Sequence, residues 1–134
     1  MGEPIRRSPV SAVQSGDKQS EIYEKGLSKS HQNKHGVYYT PKNIAMQFFR
    51  DLPPDRSTLT FCDPCCGTGN FLVAALESGF AAENVFGYDV DPIAVEIARQ
   101  RMQSLTGQEA QNVQVKNFMD VADPLPTFDV IFTN

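Results

Sequence analysis

The twelve residues Phe61 to Leu72, FCDPCCGTGNFL, constrain this chain more than any other segment. The run Thr58-Leu59-Thr60-Phe61-Cys62 reads as a strand, Asp63 ends it, a glycine-spaced loop follows, and Asn70-Phe71-Leu72 opens an apolar helical pattern. Gly67 and Gly69 let the backbone take dihedrals that a β-carbon disfavours and let it approach a ligand closely, while the start of the next helix leaves amides without intrahelical partners. Strand, glycine loop and helix in that order form the first half of a βαβ unit, which requires a parallel partner strand.

The remainder of the chain continues the alternation. Strands are predicted near 58–63, 84–89, 112–117 and 128–133, and helices near 70–79 and 92–105, with Gly79 and Gly107 as their C-terminal stops. The connection from Asp120 to Thr127 carries Pro124 and Pro126 and is too short and proline-broken for a helix. The fold class is therefore α/β, a partial Rossmann-like sheet of about four parallel strands covered by helices on both sides. Such a sheet is small, and its last strand would expose Ile131 and Phe132 at an unpaired edge, so the reading expects a larger domain continuing beyond Asn134.

Ahead of the sheet, residues 1–33 read as a flexible polar segment with a short helix starting between Asp17 and Lys25. Residues 28–36 read as loop, which makes His31 and His35 part of a solvated linker rather than a metal pair. Thr40 is placed as an N-cap and Pro41 as the first helical residue of an amphipathic helix carrying Ile44, Ala45, Phe48 and Phe49 and ending before Pro53-Pro54. Residues 34–134 form the main domain. Phe48, Phe49, Phe61, Phe80 and Phe86 read as core, and Glu77, Glu96, Arg99 and Arg101 as solvated helix faces.

Composition narrows the function. With 12 Lys and Arg against 16 Asp and Glu, the net charge of -4 argues against a broad basic face for autonomous binding to nucleic acid; the basic residues that exist gather in the first 50 positions. Cys62, Cys65 and Cys66 lie within five residues, which makes no disulfide framework and suits a reducing compartment, and the Cys62/Cys65 pair has no second ligand pair at metal spacing. No metal is expected. No stretch approaches the roughly 18 apolar residues of a membrane span and the N-terminus lacks the apolar centre of a secretory signal, so a cytoplasmic protein is expected.

The chemistry follows from two acids. Asp89 ends the strand Val85-Phe86-Gly87-Tyr88 about twenty residues past Gly69, the spacing at which a carboxylate reaches ribose hydroxyls in dinucleotide folds, so the ligand contains a nucleoside. Asp63, before the loop, would oppose a pyrophosphate with like charge but would attract an amine and a sulfonium. The loop also lacks the third glycine of the nicotinamide fingerprint.

DPCCGTGNF resembles the motif I loop of the adenine-specific DNA methyltransferases, a group that includes type I modification subunits and restriction-linked enzymes. Three further segments resemble the group's motifs in order and spacing: Gly36-Val37-Tyr38-Tyr39-Thr40-Pro41 is similar to motif X, Gly87-Tyr88-Asp89-Val90-Asp91-Pro92 to motif II, and Phe128-Asp129-Val130-Ile131-Phe132-Thr133-Asn134 to the strand entering motif IV. The resemblance covers about residues 34–134. It implies S-adenosyl-L-methionine as cofactor, with Tyr39, Thr40 and Pro41 against its methionine end and Asp63, Cys65, Gly67 and Gly69 lining the methionine and ribose. Asn70 and Phe71 complete that lining, Asp89 accepts from the ribose hydroxyls, and Val90 packs on the adenine ring. Asn117 and Phe118 stand where the group shows Asp-Phe, and the amide oxygen of Asn117 can still accept from the cofactor's amino group.

The resemblance also implies the reaction. The group's catalytic Asn-Pro-Pro-aromatic element takes a base flipped from double-stranded DNA, accepts hydrogen bonds from its exocyclic amine, and lets that nitrogen attack the methyl group. Of this element the chain contains Asn134. The expectation is an adenine N6-methyltransferase portion, inactive until a complementing chain or segment supplies Pro-Pro-aromatic and target recognition. Two other readings stay open here: a regulatory module that binds the cofactor without catalysis, and a fragment of a protein glutamine or cytosine-N4 methyltransferase. The Tyr39-Thr40-Pro41 segment favours DNA, and Asn rather than Ser at position 134 favours adenine.

Overall fold

The computed structural model describes residues 16–23, 41–120 and 126–133. Residues 16–23 are helical (α1), followed by α2 over Lys42–Phe48, β1 over Phe61–Asp63, α3 over Asn70–Ser78, a 3-10 turn over Ala82–Asn84, β2 over Val85–Asp89, α4 over Pro92–Thr106, β3 over Val113–Val115 and β4 over Val130–Ile131. The four strands make one sheet in the order β3-β2-β1-β4, and every pairing is parallel. The α/β sheet expected from the alternating pattern is thus present.

Phe61 lies level with Val85 on one side and Val130 on the other. Each crossover through α3 and α4 steps outward from β1 in one direction, and β4 then returns to the far side of β1. That reversal is a topological switch point, and ligands in open parallel sheets bind beyond the carboxyl ends of the strands there. Asp63, Asp89 and Thr133 all stand at that end.

The buried core joins Ala45 of α2 and Phe49 just after it, Phe61 of β1, Phe71, Leu72 and Ala75 of α3, Phe80 after that helix, Val85 of β2, Val95, Ala98 and Met102 of α4, and Val113 of β3. Phe49 meets the rings of Phe61 and Phe80 at 5.3 and 5.8 Å, and burying each such side chain contributes about 2 kcal/mol. Helices α2, α3 and α4 pack together on the sheet face that carries Phe61 and Val85. On the opposite face the rings of Phe86 and Phe128 meet at 5.1 Å. Close approach of helix to sheet depends on Gly87, where a β-carbon would stand 2.6 Å from Leu72 Cδ1 and 3.3 Å from Cys66 Cβ.

Helix ends follow local chemistry. Asp91 caps α4, its Oδ1 accepting from the amides of Ile93 (2.9 Å) and Ala94 (3.4 Å), and Pro92 occupies the first helical position. Gly79 and Gly107 end α3 and α4 in the left-handed conformation, as expected.

Several expectations change. Strands are shorter than predicted, β4 most of all, because only the paired residues qualify. Pro41 is the N-cap of α2 rather than its first residue; its carbonyl accepts from the amides of Ile44 and Ala45, both at 3.0 Å. Phe48 is 52% exposed because α2 turns Ala45 and Phe49 inward and leaves Ile44 and Phe48 at the margin. Phe132 is not an exposed edge residue: its ring meets Phe49 at 5.0 Å, Phe48 at 5.6 Å and Phe61 at 5.9 Å. Arg101 is not on a solvated face but 3% exposed, and Arg99 donates from Nε to the Val113 carbonyl at 2.7 Å. The loop expected over 28–36, and Tyr39, Thr40 and Asn134, lie outside the described residues. No helix among the described residues is long and apolar enough to cross a membrane.

Candidate functional site

The segments leaving the carboxyl ends of β1, β2 and β3 are joined at Asp89, and Thr133 follows β4 at the same end. The glycine loop runs from Pro64 to Gly69, with Gly67 at φ 54° and Gly69 at φ 93°, both in the left-handed region. Gly69 is also the N-cap of α3 and lies so near α4 that a β-carbon there would stand 3.0 Å from Ala98 Cβ. The dihedral disfavours a side chain there, and the neighbouring helix crowds one.

The two acids organise these turns. Asp63 is 2% exposed; its Oδ1 accepts from the Cys65 amide at 3.0 Å, and the Thr133 side chain hydrogen-bonds to it. Burial pushes its pKa up to about 7, the Cys65 amide and Thr133 oppose that rise, and the charge of Asp89 adds to it. Asp89 accepts from the Gly67 amide at Oδ2 and from the Asp91 amide at Oδ1, both at 2.9 Å. The Cys66 amide donates to the Tyr88 carbonyl at 2.8 Å and the Lys116 amide to the Asp89 carbonyl at 2.9 Å. The glycine loop, the Asp89 turn and the start of the β3 exit are thereby fastened to one another through backbone groups.

Other expected residues divide into two groups. Cys65 is exposed beside Asp63 and Asp89, and burial together with those carboxylates raises its pKa, which keeps it a thiol. Val90 is 66% exposed next to Asp89, and Phe118 is also exposed, so both offer apolar surface at the rim. Asn117 is exposed, with Oδ1 accepting from the Met119 amide at 3.0 Å within its own turn. Asn70 and Phe71 turn away from the loop: Asn70 Oδ1 accepts from Arg101 Nη1 at 2.9 Å, and the Phe71 ring is buried 5.5 Å from Phe48. Pro41 is exposed at the start of α2.

Four residues of this region went unremarked in the sequence as functional groups. Thr133 meets Asp63, and Asp91 caps α4 while its amide holds Asp89. Thr68 offers its carbonyl to Arg101 Nη1 at 2.8 Å from inside the glycine loop. Arg101 follows Ala94 and Ala98 at helical spacing on the buried side of α4, so its position marked it as interior even though its charge suggested otherwise. A cavity of about 420 Å³ between Glu83, Met102, Gln108 and Asn112 opens at the other end of the strands, away from both acids and the glycine loop.

A glycine loop and an acid at the ends of adjacent parallel strands, beside a switch point, form the arrangement at which doubly wound α/β domains bind their ligands. The particular kind is set by sequence: residues 14 to 134 match the family model of N-6 DNA Methylase, and the chain belongs to that family. It is 52% identical over 116 residues to the type II methyltransferase M.VspI of Vibrio sp. (strain 343), covering 86% of this chain and 28% of the relative. It is 32% identical over 83 residues to the type II methyltransferase M.CvrRI of Paramecium bursaria Chlorella virus XZ-6E, covering 62% of this chain and 21% of the relative. Its fold is similar to a type I restriction-enzyme modification subunit of Vibrio vulnificus YJ016, with a TM-score of 0.55 and 24% identity over 90% of this chain and 28% of that one. The chain thus spans about a quarter of the length of the curated relatives it matches.

Proposed function

We propose that residues 34–134 are the S-adenosyl-L-methionine-binding portion of a DNA adenine N6-methyltransferase. The observation that carries this reading is the pair of acids at the ends of β1 and β2, fastened across one glycine loop, in a chain of the N-6 DNA Methylase family. The donor set fits the cofactor. Asp63 offers a buried carboxylate to an ammonium or sulfonium, Asp89 retains acceptor capacity for vicinal hydroxyls, and Val90 and Phe118 offer exposed apolar surface for a purine.

When bound, S-adenosyl-L-methionine supplies an electrophilic methyl group on sulfonium sulfur. In the proposed assignment Tyr39, Thr40, Pro41, Asp63, Cys65, Gly67 and Gly69 hold the methionine and ribose, with Asn70 and Phe71 setting the helix start behind them. Asp89 orients the ribose, Val90 and Phe118 flank the adenine, and Asn117 accepts from its amino group. Asn134 accepts from the exocyclic amine of a flipped adenine, countering the positive charge that grows on nitrogen. The Pro-Pro-aromatic segment and the grip on double-stranded DNA come from another segment or a partner chain, consistent with the net charge of -4.

Calorimetric titration of the chain with S-adenosylhomocysteine tests the cofactor assignment. Saturable binding is expected, weakened at least about tenfold by Asp89→Ala, since hydrogen bonds to a carboxylate contribute roughly 1.5–3 kcal/mol. A wild-type chain that takes up no S-adenosylhomocysteine overturns it. Methylation of DNA adenine is expected on mixing with a chain that begins at Pro-Pro-aromatic and absent without it.

A further inference from the structure

One side of α1 carries Asp17, Ser20 and Tyr23, and all three reach residues behind the candidate site. Asp17 Oδ1 accepts from Arg101 Nη2 at 2.7 Å, and the Ser20 and Thr68 hydroxyls hydrogen-bond each other. Ser20 also accepts from Arg101 Nη1 at 3.4 Å, and the Tyr23 hydroxyl donates to Asp91 Oδ2. The helix sits close enough that a β-carbon on Gly16 would stand 2.8 Å from Arg101 Cγ.

Arg101 is the hub of this contact. From α4 its Nη1 holds the Thr68 carbonyl and Asn70 Oδ1, which lie on either side of Gly69, while Nη2 holds Asp17. A guanidinium this buried needs a compensating charge, and Asp17 provides one. Asp17 also lies 3.8 Å from Lys42 Nζ, which pairs with Glu77 at 2.8 Å. The direction in which the amides of the glycine loop point is thus tied through Arg101 to α1. At the other end of the helix, Tyr23 engages Asp91, whose amide donates to Asp89.

We propose that α1 is a positioning element for the cofactor site, acting on the glycine loop through Arg101 and on the Asp89 turn through Asp91. The proposal rests on the cofactor reading above. If docking of α1 favours the ligand-ready loop, ligand binding must favour docking of α1 by the same factor, because coupling between two sites is reciprocal. A helix that merely adds stability would show no such exchange.

Two measurements on the full chain decide it. In the wild type, S-adenosylhomocysteine is expected to slow amide hydrogen exchange in residues 17–23, although none of the described contacts of α1 places it in the ligand's own space. Asp17→Asn is expected to weaken S-adenosylhomocysteine binding about tenfold, within the usual span of coupling factors, with Asp17→Glu restoring most of the loss. Unchanged exchange in residues 17–23 on saturation, or wild-type affinity in a folded Asp17→Asn variant, overturns the proposal. Should Asp17→Asn fail to fold, the wild-type exchange comparison decides alone. A wild type that binds no S-adenosylhomocysteine removes the cofactor reading and this proposal with it, whereas a wild type that binds without protecting α1 removes only the latter.

Discussion

Asp63 holds its proton to about pH 7 in the fold, against 3.8 for the free side chain, because the strand end that positions it also removes it from water. The folded state binds this proton more tightly than the unfolded state. Its contribution to stability is therefore full below about pH 4 and is lost as pH rises through 7. A ligand ammonium demands the ionised form, so affinity should run the other way. S-adenosylhomocysteine binding is expected to weaken by about tenfold per pH unit below 7, one proton being released per ligand bound, and to level off above it. Asp63→Asn should flatten that profile. Calorimetric titrations between about pH 5.5 and 8.5 check both.

At the scale of elements, the contact of α3 with β2 is set by the missing side chain at Gly87. Gly87→Ala would drive a methyl group into Leu72 Cδ1 and is expected to cost about 1–3 kcal/mol, measured as a lower midpoint in urea unfolding. The glycine loop and Asp89 were legible in the sequence because their meaning is local: a turn that needs left-handed residues and an acid at a fixed distance along the chain. Arg101 is legible only in part: its spacing after Ala94 and Ala98 marks the buried side of α4, whereas the partners that offset its charge, Asp17 and Ser20, come from 84 and 81 residues away. One helical spacing marks both Phe48 and Phe49 as core, yet that spacing straddles the edge of the packed face, and only Phe49 lies inside it. Asn70 and Phe71 carry the motif's letters, but their side chains serve Arg101 and the core.

For the molecule as a whole, β4 is the edge strand beside β1 among the described residues; it pairs with β1 at two positions and is fastened at its start by Asp129. Asp129 Oδ2 accepts from the Thr60 amide at 2.9 Å and from its hydroxyl at 3.1 Å, and the Asp129 amide donates back to that hydroxyl at 3.0 Å. Phe132 then inserts into the rings of α2, β1 and α3. Phe132→Ala is expected to remove about 2 kcal/mol or more of stability, read as a lower thermal midpoint, because it empties the site where those elements meet. The order of the strands has a consequence for synthesis. A growing chain can assemble β1, α3, β2, α4 and β3 in the order they are made, each beside its predecessor. The other edge of β1 must wait for Asp129, 69 residues after Thr60, and until then the nascent protein carries an unpaired central strand, the kind of edge that recruits strands from other chains.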